Sequence, residues 1–199
     1  MKRALIATLL ALASGPLLAA TIGQAAPDFA LPDWAGNTVK LSDLKGKFVV
    51  LEWVNPDCPF VRKHYNSANM PTLQKEAAAR DVAWLSITST NPQSEEFKTP
   101  AELKAWMASK SAAPKDVLLD KDGTTGHAYG AKTTPHMYVI DRDGKLIYAG
   151  GIDDKRSTRI EDIKVAKNYV RAALDEALAG KPVSVSTSQP YGCSIKYAG

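Results

Sequence analysis

Cysteine is scarce in this chain. Only Cys58 and Cys193 among 199 residues carry a thiol, so one disulfide is the most the chain can close within itself. An excess of one charge is also missing: the formal net charge of +4 includes Lys2 and Arg3, and the other charges are mixed along the chain. That distribution leaves no nucleic-acid footprint, and the Lys/Arg residues at 62–63, 155–156 and 159 read as solvated faces and helix ends. No internal repeat and no low-complexity linker is present. The apolar stretch 4–18 is short for a membrane span and is broken by Gly15-Pro16. Preceded by Lys2 and Arg3 and followed by Ala19 and Ala20, it reads as an export signal over 1–20, cleaved near Ala20 or later at Ala26. No cysteine stands at the cleavage region, which argues against a bacterial lipid anchor. The expected location is therefore periplasmic or secreted, with no stable membrane insertion of the mature chain. Residues 21–199 suit a single domain with one substantial core.

Cys58 lies in VVLEWVNPDCPFVRKHY, where a nearly continuous apolar run ends, one cysteine follows and Pro59 opens a helix. A helix N-terminus presents unpaired amides and the positive end of the macrodipole, and both favour thiolate over thiol. With Cys58 as N-cap and Pro59 at the first helical position, the amide of Val61 is placed to donate to the sulfur. Arg62, one turn on, is placed to add positive charge. The alternative is a buried cysteine serving as a small apolar residue. An exported chain with two cysteines also makes Cys58 and Cys193 candidate disulfide partners.

Segments 28–31 and 38–41 bracket an Asp33/Gly36/Asn37 turn and predict an N-terminal hairpin. The run 48–54 predicts a strand buried on both faces, delivering Cys58 to its carboxyl end. A helix starts at Pro59, restarts around Asn69-Met70-Pro71 and continues over 72–79. A strand over 81–88 completes a right-handed crossover. Thr99-Pro100-Ala101-Glu102 is a capping box for a helix through about Ser109. A short strand over 117–119 precedes an Asp120/Asp122/Gly123 turn, whose spacing does not match a calcium loop. Segments 136–140 and 145–148 flank Asp141-Arg142-Asp143-Gly144 as a hairpin. Thr158-Arg159-Ile160-Glu161 is a second capping box, opening a helix with apolar positions at 160, 163, 166, 170, 174 and 178. Gly180 and Pro182 stop it, and 183–199 reads as an extended tail lying on the domain.

This order, with a cysteine after the first central strand and Thr134-Pro135 before a later one, resembles the thioredoxin fold. The segments NPDCPFVRKHYNSANM, YGAKTTPHMYVID, YAGGIDD, ALAGKPV and PYGCSIKY are similar to a peroxiredoxin-like branch of the redoxin (AhpC/TSA) group over essentially the whole mature chain. The resemblance implies an α/β thioredoxin-like fold: a central mixed β-sheet flanked by helices, an N-terminal hairpin and an extended C-terminal tail. It also implies a cis-proline at Thr134-Pro135, a lone active-site cysteine and a thiol-oxidoreductase or antioxidant role. Two departures matter. The second thiol of a C-x-x-C motif is replaced by Val61, and the peroxidatic cysteine of peroxiredoxins aligns with Val61, leaving Cys58 where their Thr or Ser stands.

The leading expectation is a thiol–disulfide redox protein with Cys58 as nucleophile and Cys193 as resolving cysteine. Pro59, Phe60, Thr134, Pro135 and His136 would line the substrate groove, where a free backbone edge can pair with an extended peptide. The expected partners are a disulfide-bearing protein or a small thiol or peroxide, together with a redox partner. No cofactor is implied. One alternative is a structural Cys58–Cys193 staple in a non-catalytic module. Another is a copper-chaperone-like module using Cys58 and His136, for which the donor set is short. His136 has two readings, an acid/base group near the sulfur or an ordinary strand histidine. No metal ligands are assigned.

Overall fold

The computed structural model describes residues 20–198, so the expected export signal lies, up to residue 19, outside the described residues. Strands β1 (Ala30–Pro32) and β2 (Thr38–Lys40) pair antiparallel as the expected hairpin. Asp33 turns the chain between them, its carboxylate accepting from the amides of Ala35 and Asn37 and from the Asn37 side chain.

The apolar run becomes β3 (Val49–Trp53), buried along its whole length. A strand with no polar face needs cover on both sides. It finds that cover at the centre of the sheet, parallel to β4 (Ala83–Thr88) and antiparallel to β7 (His136–Ile140). β5 (Asp116–Leu119) and β8 (Leu146–Gly150) complete the strand order β5-β4-β3-β7-β8. Between β3 and β4 run α1 (Pro59–Asn66) and α2 (Asn69–Ala79), interrupted at Ala68, which has a positive φ of 58°. α3 (Pro100–Ser109) carries the expected capping box, with Thr99 and Glu102 bonded reciprocally.

Alternation along the strands divides the core in two. Val50, Val54, Trp84, Met137 and Val139 face Cys58, Tyr65, Leu73, Leu103 and Met107 on one side. Leu51, Trp53, Leu85, Ile87 and Tyr138 face Phe29, Leu31 and Tyr129 on the other. Glu52 is a charged side chain inside this central strand, fully buried, and it accepts from Tyr65 Oη at 2.8 Å, Trp84 Nε1 at 2.8 Å, Ser86 Oγ at 3.0 Å and Gln74 Nε2 at 3.2 Å. Burial pushes its carboxyl above the usual range while the four donors oppose the shift. Glu52→Ala leaves those donors without their acceptor, and we expect a loss of about 3 kcal/mol or more in denaturant unfolding.

Two expectations need correction. The helix predicted over 158–178 is split into a 3₁₀ turn over Ile160–Val165 and an α-helix after it. Lys167 and Asn168 leave helical geometry because they pair with the loop before them: Asp154 N donates to Lys167 O, and Tyr169 N donates to Ile152 O. Thr158 therefore caps nothing. The true N-cap of that helix is Asn168, whose side chain accepts from the Arg171 amide. Ile160, counted as a core position by spacing, is exposed. Second, the Asp120 turn continues into α4 (Thr124–Tyr129), whose first amides, at Thr125 and Gly126, donate to the buried Asp120 carboxylate. The helix after Asn168 is α5 (Tyr169–Leu178).

Two short strands remain. β6 (Thr133–Thr134) precedes Pro135, and the Thr134–Pro135 bond is cis, as the resemblance implied. β9 (Cys193–Ser194) lies in the tail and pairs antiparallel with β6, Thr134 opposite Cys193 and Thr133 opposite Ser194.

Candidate functional site

Pro59 sits at the first position of α1 and fixes its start, so β3, the 54–57 turn and α1 together hold Cys58 as the N-cap residue. The turn is closed locally: the amide of Cys58 donates to Asn55 O, and the amide of Asp57 to Asn55 Oδ1. Cys58 is 1 % exposed. Its Sγ donates to the carbonyl of Thr134 at 3.0 Å. Cys193, placed opposite Thr134 by the β6–β9 pairing, lies beside Cys58, and both cysteines are free thiols. Cys58, Thr134, Pro135 and Cys193 thus meet at the carboxyl end of β3, where the sequence led us to expect a site. Phe60 packs edge-on against Tyr191 at 5.8 Å in the tail.

The supports expected around the sulfur are directed elsewhere. The Cys58 side chain makes no capping bond to the first turn, so the Val61 amide contact is not formed, and the Val61 side chain is core. The thiol bonds to the Thr134 carbonyl instead. Arg62 Nε donates to Pro56 O at 2.8 Å, and its terminal nitrogen pairs with Asp57 at 2.9 Å, a carboxylate it shares with Lys98. A guanidinium follows the nearest acceptors that fit its fork, and Pro56 and Asp57 offer two.

His136 is also not where a groove residue would be. It lies opposite Trp53 in β7, and alternation turns it with Tyr138 toward the Phe29/Tyr129 side of the sheet, away from Cys58. Its Nδ1 accepts from Lys132 N at 3.3 Å and lies 3.2 Å from Tyr138 Oη. It is a strand histidine. Cys58 and His136 do not form a donor pair, and among the described residues no group of three or more Cys, His, Asp or Glu side chains is placed to hold a metal ion.

The sequence reading missed what holds the tail. Tyr191 Oη donates to Asp153 Oδ1 at 2.5 Å and lies 3.1 Å from His64 Nε2, while His64 Nδ1 lies 2.9 Å from Asn69 Nδ2. Asn69 can only donate through that nitrogen, so Nε2 carries the imidazole proton and the bonds run Asn69 to His64 to Tyr191 to Asp153. Lys63, with a fully buried side chain, donates to Lys155 O at 2.9 Å and reaches Asp153 Oδ2 at 4.0 Å. Beyond Cys193, Ile195 N donates to Lys132 O, Asn91 N donates to Lys196 O, and Lys196 pairs with Glu96 at 3.6 Å. Tyr197 stacks on His127 at 4.1 Å and donates to Ala131 O at 2.9 Å. It fits there because Gly126 has no side chain: a Cβ at that position would stand 2.3 Å from the Tyr197 hydroxyl. The signal was present in YGCSIKY, where Tyr191, Cys193, Ile195 and Tyr197 alternate with exposed Ser194 and Lys196.

Burial pushes the Cys193 thiol up to about 12, and neighbouring Cys58 adds to the shift. At neutral pH Cys193 is therefore held as the thiol. Burial and the neighbouring Lys63 charge take His64 down to about 3, and burial with Lys132 takes His136 down to about 4. Both are neutral in the fold, whereas an unfolded chain takes up their protons below about pH 6.5. Their contribution is complete above that pH and is lost as pH falls toward 4 and then 3. We expect His136→Asn to flatten the acid limb of a stability–pH profile by about one proton, roughly 1.4 kcal/mol per pH unit between 6.5 and 4. An unchanged slope would mean that His136 titrates alike in both states.

The sheet order, the helices on its two faces and the cysteine at the carboxyl end of β3 define a thioredoxin-like protein with a single N-cap thiol. Residues 22–149 match the AhpC/TSA family, and the chain belongs to it. It is 28 % identical over 126 residues to the thiol-disulfide oxidoreductase ResA of Bacillus thuringiensis subsp. konkukian, an alignment covering 63 % of this chain and 67 % of the relative. It is 31 % identical over 181 residues to the mitochondrial thioredoxin-dependent peroxide reductase of Drosophila melanogaster, covering 83 % and 67 %. A solved structure of an uncharacterized conserved protein from Geobacillus kaustophilus superimposes with a TM-score of 0.76 at 31 % identity, covering 89 % of this chain and 93 % of that one. The ResA relative is named a thiol-disulfide oxidoreductase, and this similarity supports a redox function.

Proposed function

We propose that the chain is an exported thiol–disulfide oxidoreductase in which Cys58 is the nucleophile and Cys193 the resolving cysteine. The observation that carries this reading is the pairing of β9 with β6, which sets Cys193 against Cys58 beside Thr134–Pro135. Export rests on the N-terminal signal pattern.

The chemistry is sequential. Cys58 loses its proton to solvent, its thiolate attacks one sulfur of a disulfide R–S–S–R, a Cys58–S–S–R bond forms, and R–S⁻ leaves and is protonated. Cys193 then gives up its proton, attacks the Cys58 sulfur and expels the second R–S⁻, leaving a Cys58–Cys193 bridge. Two thiols are oxidised and one disulfide is reduced. The order is favoured by the electrostatics: once Cys58 is in a mixed disulfide its charge is gone, and one cause of the raised Cys193 thiol disappears.

A staple whose purpose is to tie the tail down fits less well. Tyr191, Tyr197, Asn91 and the β6–β9 pairing already hold the tail while both cysteines are free. Incubation of the reduced protein with glutathione disulfide, followed by acid quench and peptide mass spectrometry, tests the reading. The expected product is a crosslink between the peptides of Cys58 and Cys193, preceded by glutathione on Cys58. Stable glutathionylation of Cys193 with Cys58 untouched would contradict it.

A further inference from the structure

A sulfur that is 1 % exposed cannot meet an outside disulfide until something leaves. What stands against Cys58 is the chain's own tail. β6 is two residues long and pairs with β9, so the backbone edge beside Pro135 is filled by Tyr191-Gly192-Cys193-Ser194. The tail lies there as an incoming peptide would. Its backbone runs antiparallel to Thr133–Thr134, its cysteine is opposite Thr134 and in contact with Cys58, and its side chains alternate inward and outward. The approach is so close that a Cβ at Gly192 would stand 1.9 Å from Thr134 O. Two residues before the cysteine, the Tyr191 ring packs on Phe60, and its hydroxyl bonds to Asp153 and His64 in a pocket whose polar groups all come from the body of the protein.

We propose that the pocket filled by Tyr191 is a specificity subsite. The partner of Cys58 is an extended, cysteine-bearing peptide with a tyrosine two residues before its cysteine, and it takes the place of the tail on β6. This rests on the exchange role of Cys58 given above. The tail is then both the resolving strand and a competitor for the same edge. Three observations support it. The pocket is specific, because Asp153 Oδ1 and His64 Nε2 converge on one hydroxyl position, so an apolar ring there would leave the His64 Nε2 proton without its acceptor and Asp153 Oδ1 with the Lys155 amide as its remaining donor. The register is fixed by strand pairing, so the distance from pocket to sulfur is set at two residues. The competitor is anchored outside the groove, since Tyr197 rests on His127, Gly126 and Ala131.

The test uses the full chain carrying Cys193→Ser, in which reaction stops after one exchange. Three peptides are offered as mixed disulfides with thionitrobenzoate: a copy of residues 188–195, the same peptide with alanine in place of its tyrosine, and a scrambled version. Cys58 attacks the peptide sulfur, a Cys58–peptide disulfide forms, the bond to thionitrobenzoate breaks, and the departing thiolate is read by its absorbance. The tyrosine peptide should react at least about tenfold faster than the other two, the effect of one well-seated aromatic anchor. Adding Tyr197→Ala, or Tyr197→Phe should the first not fold, should speed the tyrosine peptide further by loosening the competitor. Equal rates for the three peptides, or no gain on loosening the tail, would overturn the subsite while leaving exchange at Cys58 intact. Failure of Cys58 to react with any peptide or with the free aromatic disulfide, under conditions where the unfolded chain reacts, would remove the exchange role and the subsite together.

Discussion

Cys58→Ser should lower disulfide exchange by at least about a hundredfold, because the remaining thiol is held protonated by its burial and exchange proceeds through thiolate. Cys193→Ser should behave differently. It should still open an external disulfide but accumulate the mixed disulfide on Cys58, or over-oxidised Cys58 when the reagent is an oxidant. Reagent consumption measured together with intact mass separates the two variants. Full activity in Cys58→Ser would take that sulfur out of the mechanism, and rapid turnover in Cys193→Ser would do the same for the resolving step. Serine is close in size to cysteine, so neither change should unfold the protein. Unfolding midpoints measured alongside should stay near that of the parent.

Gly192→Ala should separate the tail from the site without touching either sulfur. The added methyl would stand 1.9 Å from a backbone oxygen, and the φ of 139° at this position is one that residues with a Cβ rarely adopt. β9 must therefore shift off β6 and carry Cys193 with it. Misplacement by about 1 Å costs an oriented reaction on the order of a hundredfold, so closure of the Cys58–Cys193 bridge should slow by about that factor. The first exchange at Cys58 should be unchanged or faster, because the tail no longer covers the sulfur. The two steps are resolved by quenching at successive times and counting protein–glutathione and crosslinked species. An unchanged closure rate would mean that Cys193 does not depend on the β6–β9 register.

Much of the scaffold was readable from local signals. The unbroken apolar run before Cys58 required a strand covered on both faces, Pro59 required a helix start, and Thr99 with Glu102 capped α3 as their spacing indicated. What failed depended on competing partners and strand direction that spacing alone does not give. Thr158 had the right spacing for a cap, but Asp154 and Ile152 captured the backbone of 167–169 and moved the helix start to Asn168. Arg62 had the right spacing to reach the sulfur, but Pro56 and Asp57 were nearer. His136 is adjacent in sequence to Pro135, yet one step along a strand reverses the face, and that single step took it from the sulfur. Glu52 could have been noticed as the one charge in an apolar strand. Its four partners come from α1, α2 and β4, and nothing local names them. The tail shows the reverse case: its period-two alternation was visible, but the edge it pairs with is set by the fold.

The reduction potential of the Cys58–Cys193 pair tests the central claim most directly. Protein equilibrated in graded thiol/disulfide buffers is alkylated, digested and counted as bridged or free peptides. A bridge that titrates near or above about −250 mV is predicted, within reach of cellular thiol pools. A bridge still closed below about −300 mV would mark a structural staple, and the absence of any bridged peptide would contradict the resolving role of Cys193 outright.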